Sequence, residues 1–222
     1  MIYARNVMKL YKTKSNYWIR HIRANKYKIL TLYAVLLTSF LVFWLLDQVT
    51  KTLLFEHGSV LDENAQYING QLNVQTYNGK RIWAESIWPA DPDEWKVVGF
   101  IGVRSVWHGG VTFLATRNQF IIQGISLVLH VSILLSPLFS KKMNNIAAFF
   151  LGLLLGGVAG NMIDRFMFNT HVKDVFYFTF AKNSGTFNIA DLEILIGGVL
   201  YALYSLFGGG KKRLSNIQHL VA

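Results

Sequence analysis

The chain has 222 residues, of which 52% are hydrophobic and only 15% are charged. Soluble domains carry about 25% charged residues, so this composition argues against a soluble protein and predicts a membrane protein. The net charge is +10 and cysteine is absent, which excludes disulfides, thiol catalysis and cysteine metal sites.

Four uncharged, mainly apolar segments predict four membrane-spanning helices, because a span needs about 20 such residues. They are Ile29–Leu46, Phe120–Phe139, Ile146–Ile163 and Ile194–Gly210. A soluble bundle is the alternative, but buried helices of this length usually keep a polar stripe. The first segment could also be a cleavable signal sequence, although no small-residue cleavage site follows it. We therefore expect an all-α membrane protein.

Basic residues concentrate in the segments that we expect to lie in the cytoplasm. The extension at 1–28 holds many bases and no acid, Lys141 and Lys142 separate the second and third spans, and the tail at 211–222 opens with three bases. By the positive-inside rule, both termini and the middle loop are then cytoplasmic. The positive charge thus indicates topology and contact with anionic lipid, not with nucleic acid. The extension could be a short helix on the inner leaflet or a flexible basic tail.

A polar insertion at about 55–118 interrupts the membrane domain, which we place at 29–210. Alternating residues flank Asn78-Gly79 within this insertion, which predicts a β-hairpin. Its tryptophans, Trp83, Trp88, Trp95 and Trp107, are typical of a small sheet resting on the lipid interface. Two roles stay open for the insertion: a flap that gates access to a site, or a packed loop distant from it.

Three glycines recur every four residues in the third span: Gly152, Gly156 and Gly160. One face of this helix therefore lacks side chains, so a neighbouring helix can approach it closely. We expect packing from this face, and chemistry only at the outer end of the helix.

Charged side chains gather where the predicted spans end at the outer face. Asp47 and Lys51 stand four residues apart after the first span, which suits a helical ion pair. Asp164 and Arg165 predict a second ion pair at the end of the third span, and Asn161 precedes them by one turn. Taken singly, these residues could be a helix-end ion pair or an arginine snorkelling to the interface. Charges so near hydrocarbon are costly unless they function there, so their convergence favours a site.

The fourth span begins beside a further acid. Asn188 and Asp191 could be no more than a helix cap and a first-turn acid that the helix dipole favours. Asp191 nevertheless lies at the same predicted face as the charged residues of the first and third spans. A shared location of that kind favours participation in the same site.

Asp174 lies between the third and fourth spans, before the apolar, strand-like Val175–Phe178. Dry surroundings raise the pKa of a carboxyl, and two neighbouring acids titrate as a coupled pair. With Asp191 as the partner, one carboxyl would be protonated while the other takes a proton from water. The histidines have no obvious serine partner, and a His-Glu-x-x-His zinc motif is absent. The pattern therefore favours an aspartyl hydrolase that uses no metal.

Four blocks of the sequence resemble the bacterial lipoprotein signal peptidase family, also called signal peptidase II. Asp47–Lys51 resembles the block that closes that family's first span, and Gly160–Arg165 resembles the block that ends its third. Val172–Asp174 and Phe187–Asp191 resemble the two blocks that carry the family's catalytic aspartates. The resemblance covers roughly Ile29–Phe207.

The resemblance implies a four-helix membrane fold with a small outer β-cradle, and a catalytic dyad formed by Asp174 and Asp191. It implies that other residues shape the site and hold the substrate backbone: Asp47, Lys51, Asn161, Asp164, Arg165, Asn188 and Gly110. The implied substrate is a prolipoprotein whose lipobox cysteine bears a diacylglyceryl group, cut on the amino side of that cysteine without metal or organic cofactor. The implied setting is the bacterial plasma (inner) membrane, where a multi-pass monomer contacts lipids and has its active site at the outer face.

One block departs from the family pattern. The family shows Asn-x-Gly before the second span, whereas this chain has His108-Gly109-Gly110, followed by Val111-Thr112-Phe113. Two other functions stay open. A small transporter or proton relay would distribute acids through the membrane depth or in inverted repeats. An inactive relative that only binds lipoproteins would be expected to lack an acid of the dyad.

Overall fold

The computed structural model of the protein describes residues 17–111, 116–183 and 185–207. Most of the basic extension, the tail at 211–222 and the Thr112-Phe113 part of the departing block lie outside the described residues, so the predictions made for them stay predictions. Residues 17–24 are helical and lead through Asn25 into the first long helix.

Four long helices form the membrane part of the described chain: α1 Lys26–Leu54, α2 Gln119–Phe139, α3 Asn145–Met167 and α4 Ile189–Phe207. Each is long and apolar enough to cross a membrane, so the predicted four-span architecture is confirmed and the protein is a multi-pass membrane protein. The apolar segment predicted from Ile194 lies within α4, which begins at Ile189 and holds Asp191 in its first turn, in agreement with the cap considered at Asn188.

Helix α3 lies at the centre of the bundle and packs against the other three helices. Its glycine face lies against α1, as predicted: a Cβ on Gly156 would stand 3.0 Å from the Cβ of Phe43, and one on Gly160 would meet the carboxylate of Asp47. The missing side chains allow the α1 backbone to approach α3 closely. This contact continues to the end of the bundle at which α1 and α3 end and α4 begins.

Two three-stranded antiparallel sheets lie in the polar connections at that end of the bundle. The first consists of β1 Gln66–Ile68, β2 Gln71–Gln75 and β3 Arg81–Trp83. The second consists of β4 Lys96–Val98, β5 Ile101–His108 and β6 Val172–Phe178. Strand β6 connects α3 to α4, so the second sheet joins the insertion to the connection that carries Asp174.

The predicted hairpin is confirmed as the β2–β3 pair, in which Gln75 lies opposite Arg81. The backbone N–H of Gly79 donates to the carbonyl of Thr76 at 2.9 Å, and Gly79 has a φ of 78°. A three-residue loop with a left-handed residue at its last position is a standard hairpin connection. Glycine adopts that conformation without a steric penalty.

The two faces of the second sheet differ in what they contact. Val106 pairs with Asp174, and the next pair joins Trp107 to Lys173, so Asp174 and Trp107 point to opposite faces. Trp107 packs into the apolar core of the first sheet with Leu72 and Val74. The first sheet therefore supports the second from the face opposite Asp174, which favours a supporting role over a flap above that residue.

Two tryptophans of the insertion take part in packing the sheets. Trp107 is only 3% exposed. Trp95 stacks on the Arg104 guanidinium at 4.8 Å, and Tyr177 contacts the same guanidinium at 4.5 Å. These side chains are used to pack the second sheet, because a small two-sided sheet needs aromatic surface to build a core.

Candidate active site

A buried ammonium group organises the polar cluster between α1 and α3. Lys51, 1% exposed, places its Nζ 2.8 Å from Asp47 Oδ2 and 3.1 Å from Asp164 Oδ2. The same Nζ donates to Asn161 Oδ1 at 3.1 Å. An ammonium has three N–H donors, so each one has an oxygen acceptor. Buried charges are tolerated when they are paired and fully hydrogen-bonded in this way.

The two carboxylates that hold Lys51 are themselves fully engaged. Asp47 Oδ1 accepts the backbone N–H of Ala190 at 3.0 Å, so it also satisfies a free N–H at the start of α4. Gln48 Nε2 donates to Asp47 Oδ2 at 3.1 Å and to Asp164 Oδ1 at 3.3 Å. Asp164 Oδ2 accepts the backbone N–H of Lys173 at 3.2 Å. The cluster thereby ties α1, α3, β6 and α4 together.

The predicted ion pair between Asp164 and Arg165 is wrong, whereas the predicted Asp47–Lys51 pair is present. Asp164 pairs with Lys51, and no salt bridge to Arg165 occurs among the residues that the structure describes. Consecutive residues of a helix point about 100° apart and do not face each other. Asp164 therefore faces α1 while Arg165 faces the insertion.

Arg165 is 8% exposed and binds backbone carbonyls. Its Nη1 donates to the carbonyl of Asn161 at 3.1 Å and its Nη2 donates to the carbonyl of Gly110 at 2.9 Å. Gly110 is thus held at the site through its backbone. The guanidinium charge acts on both Asp174 and Asp191.

Asn161 connects the Lys51 cluster with the first turn of α4. Its Oδ1 accepts from Lys51 Nζ and from Asn188 Nδ2, each at 3.1 Å. Its Nδ2 donates to Asp191 Oδ1 at 2.8 Å. With the cation on the oxygen side, the amide can present only its N–H₂ group to Asp191.

Asn188 and Asp191 cap α4 reciprocally. The backbone N–H of Asp191 donates to Asn188 Oδ1 at 2.9 Å, and the backbone N–H of Asn188 donates to Asp191 Oδ2 at 3.1 Å. This is the capping-box arrangement, with asparagine in place of the usual serine or threonine and aspartate in place of the usual glutamate. The cap suggested by the sequence is therefore present, and the same two residues also belong to the polar cluster.

Asp174 is the buried acid of the site that lies on strand β6 and not on a helix. It is 5% exposed, and its Oδ1 accepts a hydrogen bond from Asn188 Nδ2 at 2.7 Å. Burial, and then the negative charge of Asp191, raise the pKa of Asp174 well above its ordinary value, although Lys51, Asn188 and Arg165 oppose this. Asp191 is only half-buried. One enclosed and one more accessible carboxyl can share a single proton.

The candidate residues thus form one connected hydrogen-bonded network, which includes Asp47, Lys51, Asn161, Asp164, Arg165, Asp174, Asn188, Asp191 and Gly110. Sequence reasoning missed Gln48, which bridges two carboxylates, and Lys173, whose ammonium lies 4.0 Å above the Phe168 ring. Both residues lie within blocks that resemble the family, directly beside Asp47 and Asp174. These positions were the sequence signal that could have identified them as site residues. Among the described residues, His, Asp and Glu side chains form no group suited to holding a metal ion.

Comparison with known proteins identifies related sequences and folds. The family model for signal peptidase (SPase) II matches residues 39–207. A lipoprotein signal peptidase of Serratia marcescens is 33% identical over 128 residues, which cover 55% of this chain and 72% of that protein. One of Pelagibacter ubique (strain HTCC1062) is 25% identical over 118 residues, which cover 52% and 71%.

Two solved structures of bacterial membrane enzymes, determined by the in meso method at 2.3 and 1.9 Å, share the fold. The first has a TM-score of 0.56 and covers 81% of this chain and 92% of its own. The second has a TM-score of 0.52 and covers 78% and 94%. Both are 18% identical in sequence, so they support the architecture alone.

Proposed function

This chain belongs to the signal peptidase II family, and we propose that it is a lipoprotein signal peptidase that works as an aspartic endopeptidase. It removes signal peptides from prolipoproteins whose lipobox cysteine carries a diacylglyceryl group, and it cuts on the amino side of that cysteine. The observation that carries this proposal is the hydrogen-bonded connection of Asp174 to Asp191 through Asn188.

In the first step, water attacks the carbonyl carbon of the scissile peptide bond. Asp191, the more accessible carboxyl, accepts a proton from that water, while Asp174 donates its proton to the carbonyl oxygen. The product is a neutral tetrahedral gem-diol, and the dyad still holds one proton, which has moved from Asp174 to Asp191. The raised pKa of Asp174 supports its role as the proton donor, since that carboxyl keeps its proton toward neutral pH.

In the second step, the C–N bond breaks and the amino group of the lipidated cysteine leaves. Asp191 returns its proton to the departing nitrogen, and a hydroxyl of the gem-diol returns a proton to Asp174 as the new carboxylic acid forms. Atoms and charges balance without a cofactor. Both carboxyls take part in each step, so neither one alone can support the reaction.

The other network residues position this dyad. Asn188 and Asn161 each donate an N–H to one of the two aspartates, which fixes the planes of the carboxyl groups. Lys51, Asp47 and Asp164 hold the ends of α1 and α3 in place. Arg165 keeps the backbone of Gly110 beside the site, where it can bind an extended substrate.

The proposed location of the site is the outer face of the plasma membrane, with both termini in the cytoplasm and a monomer facing lipid on all sides. The distribution of basic residues supports this orientation. The absence of cysteine makes the test direct. A membrane-impermeant maleimide should label Lys80→Cys in intact bacterial cells, and should label Lys142→Cys only after lysis. The opposite pattern would invert the topology.

Two other functions are less well supported. A transporter or proton relay is not favoured by membership of a peptidase family. An inactive lipoprotein-binding relative is not favoured because both acids of the dyad and their amide partners are present.

The experiment uses purified protein in proteoliposomes and a precursor lipidated at its lipobox cysteine. Mass spectrometry should find a released signal peptide and a product that begins with the lipidated cysteine. The same precursor with Cys→Ala at that position, which cannot be lipidated, serves as the control and should stay intact. An intact lipidated precursor would contradict the proposal.

A further inference from the structure

His108 lies on the same face of the second sheet as Asp174. Val106 pairs with Asp174 and His108 pairs with Val172, and opposed residues of an antiparallel pair share a face. His108 and Asp174 are therefore diagonal neighbours, a relationship that separates such residues by about 7–8 Å. Trp107, in contrast, lies on the opposite face of the sheet.

The charges of four groups act on His108: Glu85 after β3, Arg117 before α2, Arg165 on α3 and Asp191 on α4. Glu85 and Arg117 form a two-pronged ion pair with N–O distances of 2.6 and 2.7 Å. The buried His171 lies at the same place, because a Cβ on the intervening Gly109 would meet both Glu85 Oε1 and His171 Nε2. His108 is thus enclosed by ionisable groups of the site and of the insertion.

Burial is the largest influence on His108 and lowers the pKa of its imidazole below 6.5, the two arginines act in the same direction, and Glu85 and Asp191 oppose them. At neutral pH the ring is therefore uncharged. At lower pH it becomes an imidazolium, which adds a second cation next to Arg165 and Asp191. A cation near a carboxylate stabilises its ionised form and makes it a weaker base.

We propose that His108 is a pH-sensitive residue beside the dyad, whose protonation in acid suppresses peptide cleavage. The inference rests on the proposed function, because it assigns to Asp191 the task of accepting the proton of water. The neutral imidazole adds no charge beside the dyad, whereas the imidazolium adds a positive charge, which opposes the transfer of a proton from water to a nearby carboxylate. His108 thereby couples the activity to the pH at the membrane face on which the site lies.

The first test compares pH profiles of cleavage in proteoliposomes. His108→Asn keeps one N–H donor and one acceptor but cannot titrate, and His21→Asn, far from the site, is the matched control. Wild type and His21→Asn should lose about tenfold in kcat as the pH falls through the pKa of His108, which NMR of its imidazole measures, since a nearby cation weakens a general base. At pH 7, the kcat of His108→Asn should lie within about threefold of the wild-type value. In acid, its kcat should fall by a smaller factor than that of wild type. The same acid loss in His108→Asn as in wild type would overturn the inference.

The second test does not require activity. The pKa of His108 is measured by NMR of the labelled imidazole in wild type, Asp191→Asn and Glu85→Gln. Each variant removes a negative charge that raises the pKa of His108, so the pKa should fall in both. An unchanged pKa in Asp191→Asn would show that His108 does not sense the dyad and would overturn the inference. If wild type cleaved no precursor at any pH, the proposed function would fail, and this titration would still decide whether His108 and Asp191 are coupled.

Discussion

Asn188 donates a 2.7 Å hydrogen bond from its side-chain amide to Oδ1 of the buried Asp174. The same residue caps α4 through its side-chain oxygen, which accepts the backbone N–H of Asp191. One side chain thus sets both the start of the fourth helix and the orientation of an acid from the neighbouring strand. Helix capping and site geometry therefore depend on the same side chain, and substitution of Asn188 can distinguish the two roles.

Asn188→Ser and Asn188→Ala distinguish these two roles. Serine retains a capping oxygen but removes the amide that contacts Asp174, whereas alanine removes both. For Asn188→Ser we expect a midpoint of thermal unfolding close to that of wild type. For Asn188→Ala we expect the free energy of unfolding to fall by about 1–2 kcal/mol. Cleavage should fall about 100-fold or more in both variants, because the dyad is misoriented. A serine variant with normal cleavage would show that the amide is dispensable.

Lys51→Met should destabilise the protein strongly. The substitution keeps the length of the side chain but leaves two buried carboxylates without their cation, which costs about 3–5 kcal/mol. Lys96→Met is the matched control, because its 2.8 Å pair with Glu56 is exposed and contributes less than about 1 kcal/mol. Thermal unfolding in detergent measures both variants. Equal midpoints would contradict the central role assigned to Lys51.

Asp174→Asn should be more stable than wild type at neutral pH. Because the folded-state pKa of Asp174 is raised, its contribution to stability is complete below its ordinary value of 3.8 and is lost as the pH rises through the folded-state pKa. Asparagine does not titrate, so the variant avoids this loss. Its unfolding midpoint should exceed that of wild type at pH 7, and the difference should disappear below pH 3.8. Glu63→Gln, at an exposed position, should show no such pH-dependent gain.

Gly160→Ala should impair both stability and cleavage, because the added Cβ would meet the Asp47 carboxylate. Asp47 would then lose its position against Lys51 and Ala190. Gly198→Ala, in α4, is the matched control: no atom lies within 4 Å of its added Cβ, and replacing a helical glycine by alanine is expected to stabilise by up to about 1 kcal/mol. If the two alanine variants behaved alike, close packing of α1 on α3 would not be required.

The four spans and the convergence of the polar residues at one face could be predicted from the sequence, because the lengths of apolar segments and the membrane topology are both readable along a chain. Sequence reasoning assigned the wrong partner to Asp164, since adjacency in sequence suggested Arg165 whereas helix geometry directs Asp164 to Lys51. It also recognised Asn188 and Asp191 as a possible cap and first-turn acid, and Asn188 caps α4 while Asp191 lies in its first turn. The support of the second sheet through Trp107 could not be predicted, since it depends on strand register.

Cleavage of a lipidated precursor by Asp174→Asn and Asp191→Asn, each reconstituted in proteoliposomes and compared with wild type, tests the central claim most directly. Each substitution preserves the size of the side chain but removes its ability to exchange a proton. We expect both variants to insert and fold, and each to lose essentially all cleavage, because the two carboxyls act as a unit. Near-normal cleavage by either folded variant would contradict the assignment of Asp174 and Asp191 as the catalytic dyad.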